Sequence, residues 1–157
     1  MENNKKFMLE AIELAKKNLK NGEGGPFGAV VVKDGKIVGR GYNKVVSTND
    51  PSAHAEVNAI RDACKNLNTF HLEGCEIYTS CEPCPMCLGT IYWSHIDKIY
   101  YAADRNHATT AGFDDSFIYD EINLDPAKRN IPSVKLLEQE SEEVFKTWVE
   151  LDKKIEY

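Results

Sequence analysis

Two groups of metal-binding residue types, thirty positions apart, restrict the folds open to this chain. One is His54-Ala55-Glu56 in "NDPSAHAEVNAIR"; the other lies in "TSCEPCPMC", where Cys81, Cys84 and Cys87 stand three residues apart. That regular spacing alone admits an iron–sulfur cradle, part of a zinc site, or two ligands and a bystander. Ala55, Ala59, Ile60, Ala63 and Leu67 recur at helical spacing, which predicts a helix from about Ser52 with His54 in its first turn. "MCLGTIYWS" predicts a second helix beginning beside Cys84, with Pro85 suited to its first turn. His54 and Glu56, two positions apart, would diverge on the side of a helix. They converge on one ion only if the N-terminal end of that helix points at it.

The rest of the chain supplies the scaffold. Phe7, Ala11, Leu14, Ala15 and Leu19 predict an amphipathic helix over 3–19, stopped by "NGEGG". "AVVVKDGKIVGRGY" reads as two strands around Asp34-Gly35, a dipeptide suited to the positive φ angles of a tight hairpin. "CEIYTS" and "DKIYYAA" are the third and fourth strands, and "SVKLLE" is a candidate fifth. "AGFDDSFIYDEI" is a short helix within a functional loop or lid over 104–132. "SEEVFKTWVELDKKIEY" is a last helix, capped by Ser141, with Glu142 and Glu143 in its acidic first turn. Helix, hairpin, then helix alternating with strand predicts a three-layer α/β/α sandwich in one domain spanning residues 1–157.

Charge and cysteine usage narrow the partners. Nineteen basic against twenty-five acidic residues leave a formal charge of −6, which repels a phosphate backbone and makes nucleic acid an unfavoured partner. No apolar run approaches the roughly 20 residues that span a bilayer, and "MENNKKFMLE" lacks the apolar core of a secretory signal. A cytoplasmic location and no membrane partner are expected. Five cysteines, three of them clustered, fit metal binding in a reducing compartment better than a disulfide framework.

Two thiolates from Cys84 and Cys87 with a neutral His54 imidazole balance the charge of Zn²⁺ and leave a fourth position open for water. Glu56 is then a proton shuttle and not a ligand. A closed structural site needs a fourth protein ligand, for which Cys81 is the candidate; an iron–sulfur run would need cysteine at Ile91. Cys64 and Cys75 read as small core residues, and His71, His95 and His107 as surface or turn residues without a partner at metal spacing.

His54-x-Glu56 with Pro83-Cys84-x-x-Cys87 is the motif pair of zinc deaminases. Together with "GGPFGAVVV" and "TSCEPCPMCLGTIYW", it makes nearly the whole chain resemble the cytidine deaminase-like superfamily. Through "AGFDDSFIYDEI" and Tyr157 at the end of the sequence, it looks most like the bacterial guanine deaminases of that superfamily. The resemblance implies a five-stranded mixed sheet between helices, one zinc per chain, a purine base as ligand, and hydrolysis of guanine to xanthine and ammonia. By position it implies that Asn43 hydrogen-bonds the purine, Phe27 and Trp93 wall the ring, and the Ala55 amide touches the base. Asp115 is the choice for a second proton-moving carboxylate, with Asp114 as helix cap or in the reverse role. It further implies a homodimer in which a C-terminal segment is exchanged and Tyr157 reaches the partner's pocket. The competing functions are tRNA adenosine deamination, deamination of cytosine or adenine, and a non-catalytic zinc-stabilised module.

Overall fold

The computed structural model describes residues 2–157, and side chains from residue 4 onward. The chain divides into two compact units, the first ending at Asp115 and the second comprising Ser116–Tyr157. In the first unit α1 (Glu2–Asn21) precedes a hairpin of β1 (Gly28–Lys33) and β2 (Lys36–Tyr42). There follow α2 (Val45–Thr48), α3 (Ala55–Leu67), β3 (Cys75–Cys81), α4 (Pro85–Trp93), β4 (Lys98–Ala103) and α5 (Arg105–Thr110). Asp34 and Gly35 take φ of 49° and 71°, the geometry their dipeptide predicts for a tight hairpin.

The strands form one mixed sheet in the order β2-β1-β3-β4. The β1 strand is antiparallel to β2 and to β3, while β3 and β4 are parallel, joined by the α4 crossover that parallel neighbours require. The run "GAVVV" is apolar without alternation because β1 is covered on both faces. Ala29 and Val31 join Ala59, Ile60 and Ala63 of α3 and Ile91 of α4 in one core. Val30 and Val32 point the other way, against Phe7 and Leu14 of α1 and Tyr78 of β3. Tyr78 stacks on Tyr100 at 4.5 Å and meets Phe7 at 5.3 Å, pairs worth about 0.5–1.5 kcal/mol each beyond their area. The outcome is the expected three-layer α/β/α sandwich.

Glycines set the spacing of two layers. Gly41 of β2 lies so close to α3 that a Cβ there would overlap the Ala55 carbonyl and the Ala59 amide, and Gly28 of β1 meets Ala11 and Ala15 of α1 in the same way. Asn58 reinforces the first contact by donating to the carbonyls of Tyr42 (2.9 Å) and Ala53 (3.2 Å). The start of α3 is therefore pinned to the sheet.

The second unit holds α6 (Ser116–Ile122), a 3-10 turn (Pro126–Lys128) and α7 (Glu138–Glu150). Two sequence expectations change here. The sheet has four strands and not five, because "SVKLLE" has no ladder partner among the described residues and leaves Val134 and Leu136 at 85% and 81% exposure. Helix α7 begins three residues before Ser141, with Leu137 in the left-handed region at its N-cap, and stops at Glu150. No helix among the described residues is long and apolar enough to cross a membrane.

Candidate active site

Helices α3 and α4 begin with their N-cap residues in extended conformation, His54 at φ −69°, ψ 160° and Cys84 at φ −68°, ψ 168°. His54 thus stands just ahead of the first turn and not within it. Neither side chain caps its own helix, so both are free to turn toward a shared point. His54 Nδ1 lies 3.5 Å from Cys84 Sγ and 3.4 Å from Cys87 Sγ. A tetrahedral ion with Zn–S of about 2.3 Å and Zn–N of about 2.0–2.1 Å separates such atoms by about 3.6 Å. Donor types and spacing therefore fit zinc. The starts of both helices add positive potential, which favours thiolate.

Electrostatics follow from burial. Cys84 is brought down to about 4, first by its contact with Cys87, while the Cys87 thiol is pushed up by Cys84 and by burial. The contact with Cys84 also raises the His54 imidazole. Glu56 is 6% exposed, and burial raises its carboxyl above the ordinary range. Its Oε2 accepts from Cys87 Sγ at 3.4 Å, and its Oε1 lies 3.4 Å from Thr79 Oγ1. Thr79 is 1% exposed, and its hydroxyl faces two acceptors for its single proton, Glu56 Oε1 and, at 2.9 Å, the Cys81 carbonyl.

Cys81 is outside this cluster: it faces the Asp104 carbonyl at 3.6 Å, and burial pushes its thiol to about 11. Regular cysteine spacing is therefore no guide to the ligand set. Asp115 is half-buried and raised first by burial and then by the Cys84 thiolate, which places it within electrostatic reach of the site; Asp114 is exposed. Ala55 opens α3, where amides lack an intrahelical acceptor. Asn43 is buried, its Oδ1 accepting from the Val45 amide at 3.1 Å, and its own amide donates to the Phe27 carbonyl at 3.1 Å. Phe27 meets Phe113 edge-on at 5.0 Å.

One expected residue lies at a distance from the cluster. Trp93 is 66% exposed at the far end of α4, about 12 Å along the helix from Pro85. Tyr157, 72% exposed, belongs to the second unit. Conversely, Thr79 and Phe113 escaped the sequence reading. Thr79 is one of the inward positions of a strand, and nothing in motif spacing distinguishes a hydroxyl that supports a carboxylate from one that fills a core.

Comparison with known proteins agrees with this geometry. Residues 1–103 match the cytidine and deoxycytidylate deaminase zinc-binding region. The chain is 50% identical over 155 residues to guanine deaminase of Bacillus subtilis, covering 99% of each chain. The X-ray structure of that protein superposes with a TM-score of 0.94 at 98% coverage of both chains. A structure of guanine deaminase from Nitrosomonas europaea is 34% identical with a TM-score of 0.66, covering 69% of this chain and 63% of that one. The tRNA-specific adenosine deaminase of Aquifex aeolicus is 44% identical over 102 residues, 64% of this chain and 67% of its own. With His54, Cys84 and Cys87 gathered and Glu56 buried beside them, the chain belongs to the cytidine and deoxycytidylate deaminase zinc-binding family.

Proposed function

We propose that the protein is a zinc-dependent guanine deaminase, hydrolysing guanine to xanthine and ammonia. The observation that carries the chemistry is Glu56, a buried carboxyl with raised proton affinity placed 3.4 Å from a predicted ligand thiol. His54, Cys84 and Cys87 would hold one zinc per chain. When bound, zinc supplies Lewis acidity that makes water a competent nucleophile near neutral pH. Glu56 takes a proton from the attacking water as the C2–O bond forms, and passes it to a ring nitrogen. The second proton leaves the new C2 hydroxyl and is delivered by Glu56 to the exocyclic amine, so that the C2–N bond breaks with neutral ammonia leaving as the C2 carbonyl forms. Its raised proton affinity suits Glu56 to both directions of transfer, and Asp115 assists at the departing amine.

Asn43 and the Ala55 amide orient the base, and Phe27, packed on Phe113, provides an apolar wall. Asp114 serves the loop that presents Asp115. Guanine is preferred over the other bases because similarity to the B. subtilis guanine deaminase continues through the second unit. Similarity to the A. aeolicus tRNA enzyme covers a smaller share, and a charge of −6 disfavours an RNA substrate.

The catalytic domain includes all 157 residues and functions as a homodimer exchanging its C-terminal segment, with Tyr157 at the partner's pocket. Support comes from α7, where Val144, Phe145 and Val149 are 67–69% exposed, an apolar face a second copy would cover. Free cysteines throughout agree with a cytoplasmic setting. The substrate assignment is tested by offering zinc-loaded protein guanine, adenine, cytosine and their nucleosides and measuring ammonia. Guanine is expected to have the highest kcat/KM; preference for any other compound removes the assignment.

A further inference from the structure

The first unit gathers a second set of metal-ligating side chains. His71 and Glu73 lie in the turn between α3 and β3, and His95 in the turn between α4 and β4. One ligand atom from each falls within 4.8 Å of the others, and the two imidazole rings are 4.8 Å apart. Sequence spacing conceals this grouping, because 24 residues separate the histidines. Both histidines lie in turns as expected, and parallel β3 and β4 bring the two turns to the same sheet end.

The backbone beneath the cluster is fixed. The Leu72 amide donates to the Ser94 carbonyl at 2.8 Å, tying one turn to the other, and Leu72 itself is fully buried in the core. The Asp97 amide donates to the Cys75 carbonyl at 3.0 Å, and the Gly74 amide to Asp97 Oδ1 at 3.2 Å. His95 is held at φ 57° with its amide donating to the Tyr92 carbonyl at 3.0 Å. His71 is half-buried, and its Nδ1 is shielded from solvent with no hydrogen-bond partner among the described residues. A buried ring nitrogen without a partner is costly unless something else engages the ring.

We propose that His71, Glu73 and His95 form a second site for a divalent transition metal, separate from the His54 cluster. Two imidazoles and one carboxylate are borderline nitrogen and oxygen donors, matching Zn²⁺ and its neighbours in the first row and not Mg²⁺ or Ca²⁺, which take oxygen shells. The two clusters occupy opposite ends of β3, whose seven residues separate them by about 20 Å. Glu73 and His95 are exposed, which makes this an open, exchangeable site that clamps two turns together.

The test is equilibrium dialysis of the full-length protein, already carrying one zinc per chain, against Zn²⁺ up to about 100 μM. The wild-type protein should take up a second equivalent and melt at a higher temperature. His95→Asn, which suits a left-handed backbone, and Glu73→Gln should each weaken that equivalent at least about tenfold, a change of about 1.4 kcal/mol, and abolish the rise in melting temperature. Both should keep the first zinc and unchanged guanine turnover, so failure here is distinct from failure of the deaminase reading. Excess Mg²⁺ should not compete. Absence of a second equivalent, or its retention unchanged in both variants, overturns the proposal.

Discussion

A carboxyl at position 56 is buried against the Cys87 sulfur and the Thr79 hydroxyl, so its ionised form is poorly solvated there. In water the same group ionises freely. Because its folded-state proton affinity is raised, the contribution of Glu56 to stability is greatest below the ordinary carboxylate range and is lost as pH rises through its folded-state value. Glu56→Gln removes that titration. In chelator-treated protein, the variant should resist urea better than wild type at about pH 8, with the gap narrowing toward about pH 5. A gap that widened on acidification would mean that Glu56 ionises readily in the fold. At this scale the ligands and Glu56 were legible because their chemistry demands particular residue types at particular separations. Thr79 was not, since its role depends on which neighbour a hydroxyl meets.

At the scale of elements, the site depends on where two helices start. Helix α3 can rest on β2 because Gly41 has no side chain, and α4 follows β3 as the crossover to β4. Gly41→Ala should cost about 1–3 kcal/mol by overpacking and lower zinc occupancy, since the displaced turn carries His54 and Glu56. Gly89 in α4 has open space around it, and Gly89→Ala should be neutral or stabilise by up to about 1 kcal/mol. Thermal melts with metal analysis would check the pair; equal effects would contradict the close-approach explanation. Helices and hairpin were readable from periodicity and Asp34-Gly35 because those signals are local. A strand is different. Residues 133–138 have strand-like composition, yet a strand exists only where an edge receives it, and propensity carries no information about the edge.

The whole molecule combines a sandwich with a second unit whose apolar residues remain largely uncovered, and association offers one way to cover them. Sedimentation equilibrium should give twice the 17.7 kDa chain mass, and removal of residues 138–157 should reduce it to the single-chain value while the remaining chain still retains zinc. A concentration-independent single-chain mass for the intact protein would exclude the exchanged dimer. Quaternary structure was the least legible property in the residues, because exposed apolar positions show that cover is needed and do not identify what supplies it.

The central claim joins a metal held by His54, Cys84 and Cys87 to proton transfer by Glu56, and one sample can test both. Wild-type protein and Glu56→Gln would be assayed for bound zinc and for ammonia release from guanine in the same preparation. The predicted result is about one zinc per chain in both proteins, with kcat in the variant lower by at least about 10²–10⁴-fold. Turnover near the wild-type rate in a zinc-loaded variant would contradict the account.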